Sequence, residues 1–167
     1  MGQKTLVELS AEWSAAISLG PQRDSARSKL LEEYVATGAE LVACQFINEL
    51  PTVQERNWCA HSLATKLIES GKANMVRGVL ISISGVDARV RFAAMFDTYM
   101  ATDDRSDLFI ARAIADRLEP QAKEKAYLQT YRQTGDENDL FLAEQATNPV
   151  GIEHGFRTVP ETQGACK

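Results

Sequence analysis

The sequence predicts an all-α fold, a right-handed α-solenoid of about four helix-turn-helix units behind an N-terminal capping helix. Three observations carry this. Apolar residues recur at three and four along almost the whole chain, as in Leu30, Leu31, Tyr34, Val35 and in Ile110, Ile114, Leu118. Gly or Pro stands at the segment junctions Gly20-Pro21, Leu50-Pro51, Gly85 and Glu119-Pro120. Between the junctions lie Gly38, Gly71, Asp103 and Gly135, separated by 33, 32 and 32 residues and each preceded by a Ser or Thr. A fixed period between 20 and 50 residues is the mark of a repeat array.

Residues 1–20 hold the cap. An amphipathic stretch runs over 4–19 through Leu6, Val7, Leu9, Trp13, Ile17 and Leu19, and terminal units of an array need an element that closes their open face. Residues 21–147 hold the four helical hairpins as one domain. Registered on the four turn residues, whole columns are apolar or aromatic. Leu30, Leu63, Met95 and Tyr127 stand eight upstream; Tyr34, Leu67, Tyr99 and Tyr131 stand four upstream. Ala43, Val76, Leu108 and Leu140 stand five downstream, and Phe46, Val79, Ala111 and Ala143 stand eight downstream. The β-branched run Val79–Ser84 continues the spacing of Met75, Val76 and Val79, so it is read as a helix end rather than a strand.

Glycine ends a helix in the left-handed conformation without a Cβ clash, and Asp103 takes that place once, because Asp tolerates it better than most residues. Asp104 and Asp136 are then expected to cap the free amides of the returning helices. Residues 148–167, with Pro149, Gly151, Gly155, Pro160 and Gly164, carry no helical period and read as an irregular tail.

Composition narrows the function. The 167 residues include 18 Lys plus Arg and 23 Asp plus Glu, a net charge of −5, and residues 30–145 hold 18 of the acids and 12 of the bases. A phosphate-backbone binder needs the opposite balance, so nucleic acid is not expected. No apolar run approaches 18 residues and no secretory h-region follows Met1, so neither membrane nor leader is expected, and a cytoplasmic protein is the default. Cys44, Cys59 and Cys166 form no disulfide framework; the first two read as core residues.

Chemistry finds little purchase. His61 and Cys59 stand two apart, which places them on different helix faces. Asp136-Glu137-Asn138-Asp139 lacks the alternate ligand and Gly of a calcium loop and reads as an acidic helix start. No phosphate-binding glycine pattern occurs. Neither metal nor cofactor is expected, and no catalytic residue is assigned.

The 32–34-residue period, two helices per unit, Pro at unit junctions and Tyr four residues before the turn resemble tetratricopeptide repeats over residues 21–147. Only Ala43 matches the first small residue of the family's second helix; Val76, Leu108 and Leu140 replace it, which predicts splayed helix pairs. A HEAT-like array fits the same pattern. The resemblance implies a groove lined by the first helices, holding a peptide or partner segment.

Carried across by register, that face contains the row Glu32, Thr65, Asp97 and Gln129. A second row is Ser28, His61, Ala93 and Lys125, and a third is Val35, Ile68, Met100 and Arg132. Trp58 falls at the groove's edge or in the core. The expected binding residues are therefore Glu32, Trp58, His61, Thr65, Asp97, Met100, Lys125, Gln129 and Arg132, and the expected partner is a basic or amphipathic protein segment. The expected function is a non-enzymatic interaction module, an adaptor or chaperone-like binder. The alternatives are a secreted effector acting by binding, an enzyme on a helical scaffold, and self-association through an apolar patch of Leu140, Phe141 and Leu142.

Overall fold

A computed structural model describes residues 4–16 and 23–148. Among these residues the fold is all-α. The helices are α1 (Leu6–Ala16), α2 (Arg23–Thr37), α3 (Glu40–Asn48), α4 (Val53–Glu69), α5 (Val76–Ser82), α6 (Ala88–Thr102), α7 (Arg105–Ala115), α8 (Pro120–Thr134) and α9 (Glu137–Thr147). A 3-10 turn, Ala73–Met75, leads into α5. Ile17, Leu19, the Gly20-Pro21 junction and the tail after Asn148 lie outside the described residues.

Consecutive helices pair as α2–α3, α4–α5, α6–α7 and α8–α9, and neighbouring pairs pack on one another. Helices α2, α4, α6 and α8 lie side by side in one layer; α3 and α5 touch in a second layer, and α1 covers α2. The arrangement is compatible with a helical repeat. Its core is continuous from Leu9 and Trp13 on α1 to Ala143 on α9.

The turns follow from the backbone. Gly38, Gly71, Asp103 and Gly135 all take positive φ, at 73°, 74°, 55° and 70°. Gly38 and Gly71 close double-bonded caps: Gly38 N–H donates to Val35 and Ala39 N–H to Tyr34, and Gly71 N–H donates to Ile68 and Lys72 N–H to Leu67. Asp103 and Gly135 instead make a single bond each, to the carbonyls of Tyr99 and Tyr131 at 2.7 Å. Asp104 then caps α7 by accepting from Ser106 N–H, and Asp136 caps α9 by accepting from Asn138 N–H. Thr52 caps α4, accepting from Glu55 N–H at 3.2 Å.

Junctions between pairs are tied by cations on helix C-terminal carbonyls, which carry partial negative charge. Arg56 donates to the Leu50 carbonyl at 2.6 Å. Arg91 donates to the carbonyls of Leu80, Ile83 and Val86, at 2.6, 3.0 and 3.2 Å. Lys72 donates to the Val35 carbonyl and pairs with Glu40, tying two turns together.

Four expectations are corrected. Leu6 and Val7 are exposed, and only Leu9, Trp13 and Ala16 of α1 are buried, because α1 packs on α2 along one stripe alone. Val35 is a core residue rather than a groove residue. Leu140 and Leu142 are half-buried, Leu142 against the core, leaving Phe141 as the exposed member of that patch. Finally, α6–α7 and α8–α9, which carry Leu108 and Leu140 where a small residue was wanted, are the most closely packed pairs and not the splayed ones. Small side chains are buried along both pairs, Ala94, Thr98, Ala111 and Ala115 in one, and Thr130 and Ala143 in the other. Close backbone approach needs small residues wherever the helices cross, not at one fixed column.

Candidate functional site: the groove over α2, α4 and α6

Helix α4 places Trp58, His61 and Thr65 on one face, because residues three and four apart are neighbours on a helix surface. The opposite face buries Cys59, Ala60, Leu63, Ala64 and Leu67 in the core. Burial of that stripe therefore forces Trp58 outward, where it is 39% exposed. It lines a cavity of about 470 Å³ with Ser28 from α2, Asn57, His61, Ser62, Thr65 and Lys66 from α4, and Val90 from α6.

Two contacts bind the neighbouring helices into this face. His61 Nε2 lies 3.7 Å from an Asp97 carboxylate oxygen on α6. Lys66 Nζ lies 3.8 Å from Glu32 on α2 and 3.0 Å from Glu69. The hydrogen bond from Lys66 to Glu69 is the chief reason its ammonium is held above the usual range. Partial burial pushes the Asp97 carboxyl up, against the opposing pull of His61. Asn57 fixes the entry of α6, donating to the Asp87 carboxylate at 2.6 Å and accepting from Asp87 N–H at 2.9 Å.

The structure thus brings Glu32, Trp58, His61, Thr65 and Asp97 to one surface. Lys125 and Gln129 line a second cavity, about 310 Å³, between α6 and α8. Its other walls are Arg89, Phe92, Ala93, Leu118, Glu119, Gln121, Ala122 and Ala126, and Arg89 pairs with Glu119 across it. Met100 and Arg132 are exposed on α6 and α8 but line neither cavity. Sequence reasoning did not place Asn57, Ser62 and Lys66 at this cavity. The signal was present: Ser62 lies one turn past Trp58, and Lys66 one turn past Ser62.

The two described thiols, Cys44 and Cys59, are buried. Burial pushes Cys44 up to about 11 and Cys59 up to about 12, whereas a reactive cysteine needs a lowered value. Cys59 is buried while His61 is exposed, so the two do not meet. No group of three or more His, Cys, Asp or Glu among the described residues could hold a metal ion. No described helix is long and apolar enough to cross a membrane.

Comparison with known proteins adds no family. No family model, no curated protein and no solved structure matches this chain.

Proposed function

We propose that the chain is a tetratricopeptide-like, right-handed solenoid of four units over residues 21–147, acting as a non-enzymatic interaction module for a basic, amphipathic protein segment. The observation that carries this is the outward Trp58, set in a groove whose rim holds the Glu32 and Asp97 carboxylates. A half-exposed Trp among polar neighbours is the residue type that dominates interface energies. A partner's lysine or arginine would meet Asp97 at a place where burial has already removed part of its water. An apolar side chain of the same segment would cover the indole. Amphipathic helices present such residues at alternating three- and four-residue spacing, which matches a groove built across parallel ridges.

The test is selection of random peptides on the immobilised protein, followed by titration of the enriched sequences against variants. Enriched peptides are expected to combine Lys or Arg with apolar residues. They are expected to lose about tenfold or more in affinity, on the scale where 1.4 kcal/mol is a factor of ten, with Trp58→Ala and with Asp97→Lys. Phe109→Ala, which alters an exposed side chain on α7, should leave binding unchanged. Circular dichroism must match across all variants. Enrichment of acidic peptides, or equal binding by the parent and Trp58→Ala, overturns the proposal.

A further inference from the structure

The hairpins α6–α7 and α8–α9 share one plan, 32 residues apart. Helices α7 and α9 each have 11 residues, and each starts behind an Asp cap and a turn residue of positive φ. The short links before and after α8 reverse the chain twice, so α9 runs the same way as α7. Arg112 joins the two through Asp136 and Asp139. With one rise per residue on both helices, equal positions in the period stand at equal heights.

Each of the two helices turns one face to solvent. On α7 that face carries Arg105, Phe109 and Ala113; on α9 it carries Glu137, Phe141 and Gln145, position for position. Phe109 is 73% exposed and Phe141 54%. Scattered apolar residues on a surface are ordinary, but two rings at one height on neighbouring helices form a continuous apolar ridge. Arg105 and Glu137 stand one turn before the rings. Their charges are opposite, and neither makes an ion pair among the described residues. A partner of one charge would satisfy only one of them. A second copy of the same face satisfies both.

We propose that this face binds a second copy of the chain, about a two-fold axis parallel to α7 and α9 and midway between them. Such an axis lays α7 of one copy on α9 of the other, pointing the same way, with every residue kept at its height. Phe109 then meets the partner's Phe141, Arg105 meets the partner's Glu137, and symmetry makes each contact twice. Paired aromatic rings gain more than their burial alone. Ala113, opposite the partner's Gln145, leaves the backbones room to approach. The other nearby charges are engaged within the chain. Asp104 and Asp136 cap helix amides, Asp107 is bonded by Thr102, and Arg112 is shared by Asp136 and Asp139. Glu144 stays outward, at the height of the partner's Arg112. The face is only two helices wide, at the small end of interface sizes, so the dimer should dissociate on dilution. It lies on the returning helices, away from the Trp58 groove, and pairing does not require that groove to bind peptides.

Sedimentation of the full chain over a wide concentration range provides the test. A monomer–dimer equilibrium is expected, weakened about tenfold or more by Phe109→Ala and by Phe141→Ala. Arg105→Glu and Glu137→Arg should each weaken it alone. Mixed in equal amounts, these two variants should pair with each other, because every contact between them then joins opposite charges. The double variant should regain the dimer for the same reason. Matching circular dichroism and urea midpoints establish that the variants are folded. A monomer at every concentration overturns the proposal, as does a dimer that survives both phenylalanine changes. Charge variants that fail to pair when mixed overturn it too, and so do species that grow beyond two chains, which would mean head-to-tail stacking. The dimer is expected to persist in Trp58→Ala, which separates failure here from failure at the groove.

Discussion

The α2–α3 and α4–α5 turns and the α6–α7 and α8–α9 turns fall at the same place in the period, yet they close differently. In the first two, a glycine cap with two backbone bonds is self-sufficient, and the hydroxyls of Thr37 and Ser70 only reach back to the carbonyls of Glu33 and Tyr34 and of Lys66 and Leu67. In the last two, one backbone bond is replaced by side chains. Thr102 accepts from Asp104 N–H at 3.2 Å and also reaches Asp107; Thr134 accepts from Asp136 N–H at 3.2 Å and also reaches Asp139. The second closure draws the returning helix in tightly and places its carboxylates at the unit boundary. There Arg112 bonds Asp136 at 2.7 Å and Asp139 at 2.6 Å. The lesson is that turns at one position of a period can be fixed either by backbone alone or by a charged network that also joins neighbouring units.

Breaking the network should cost most. Asp139 is 0% exposed and its second oxygen has no hydrogen-bond partner, so Arg112→Ala would leave a buried, uncompensated charge. A loss of about 3 kcal/mol or more is expected in urea unfolding at neutral pH, and the double variant with Asp139→Ala should recover part of it. Equal stability of Arg112→Ala and the parent would show that the boundary is held by packing alone.

Next come the turn residues. Gly38→Ala and Gly135→Ala would each force a Cβ into left-handed backbone, at about 1–2 kcal/mol; open space surrounds both, so strain and not collision is the cause. Asp103→Gly should act in the opposite direction and raise the unfolding midpoint. A lowered midpoint would mean that the Asp103 side chain, rather than its backbone, holds that turn.

Smaller still is the hydroxyl. Thr134→Ala removes the acceptor for Asp136 N–H and should cost about 1 kcal/mol. Thr37→Ala, whose hydroxyl caps no free amide, should be measurably milder in the same assay. Equal costs would erase the distinction between the two closures.

The least effect is expected from pH. Burial pushes the Glu55 carboxyl up, but bonds from the Thr52 hydroxyl and the Arg27 guanidinium, with the charge of Arg23, together hold it below its ordinary value of 4.5. A depressed folded value adds stability above pH 4.5, and this is lost as pH falls through the folded value. Glu55→Gln should therefore show a smaller drop in urea midpoint between pH 6 and pH 3 than the parent. Asp116→Asn supplies the counterpart near the last pair. Burial pushes the Asp116 carboxyl up, but bonds from Lys123 and Tyr127 hold it below 3.8, so its contribution is lost at lower pH.

Much of this fold is legible in the residues themselves. The spacing of Gly38, Gly71, Asp103 and Gly135 marks the turns because each needs positive φ, and Asp104 and Asp136 read as caps because a helix start has free amides. The Leu30, Leu63, Met95, Tyr127 column is buried throughout, since periodicity reports the face turned inward. Pairing across the chain is not legible in that way. Buried Arg27, set over the Trp13 ring at 6.0 Å and paired with Glu55, looks like any surface arginine until three helices converge on it. Asp139 looks like one more acid at a helix start, and only Arg112 on the preceding pair explains its burial. On the groove side, α4 could be read at three- and four-residue spacing. Its relation to α2 and α6 depended on crossing geometry, which no single helix encodes.

The two tryptophans divide the molecule for spectroscopy. Trp13 is sealed between α1 and α2, with Tyr34 and Phe46 around it, while Trp58 stands at the groove. A soluble quencher such as iodide should reach one indole and not the other, so steady emission separates into a quenchable and a protected fraction. Release of α1 would make the protected fraction accessible while the quenchable one stays as it was. The chain therefore carries separate optical reporters for its cap and for its surface, with no label added.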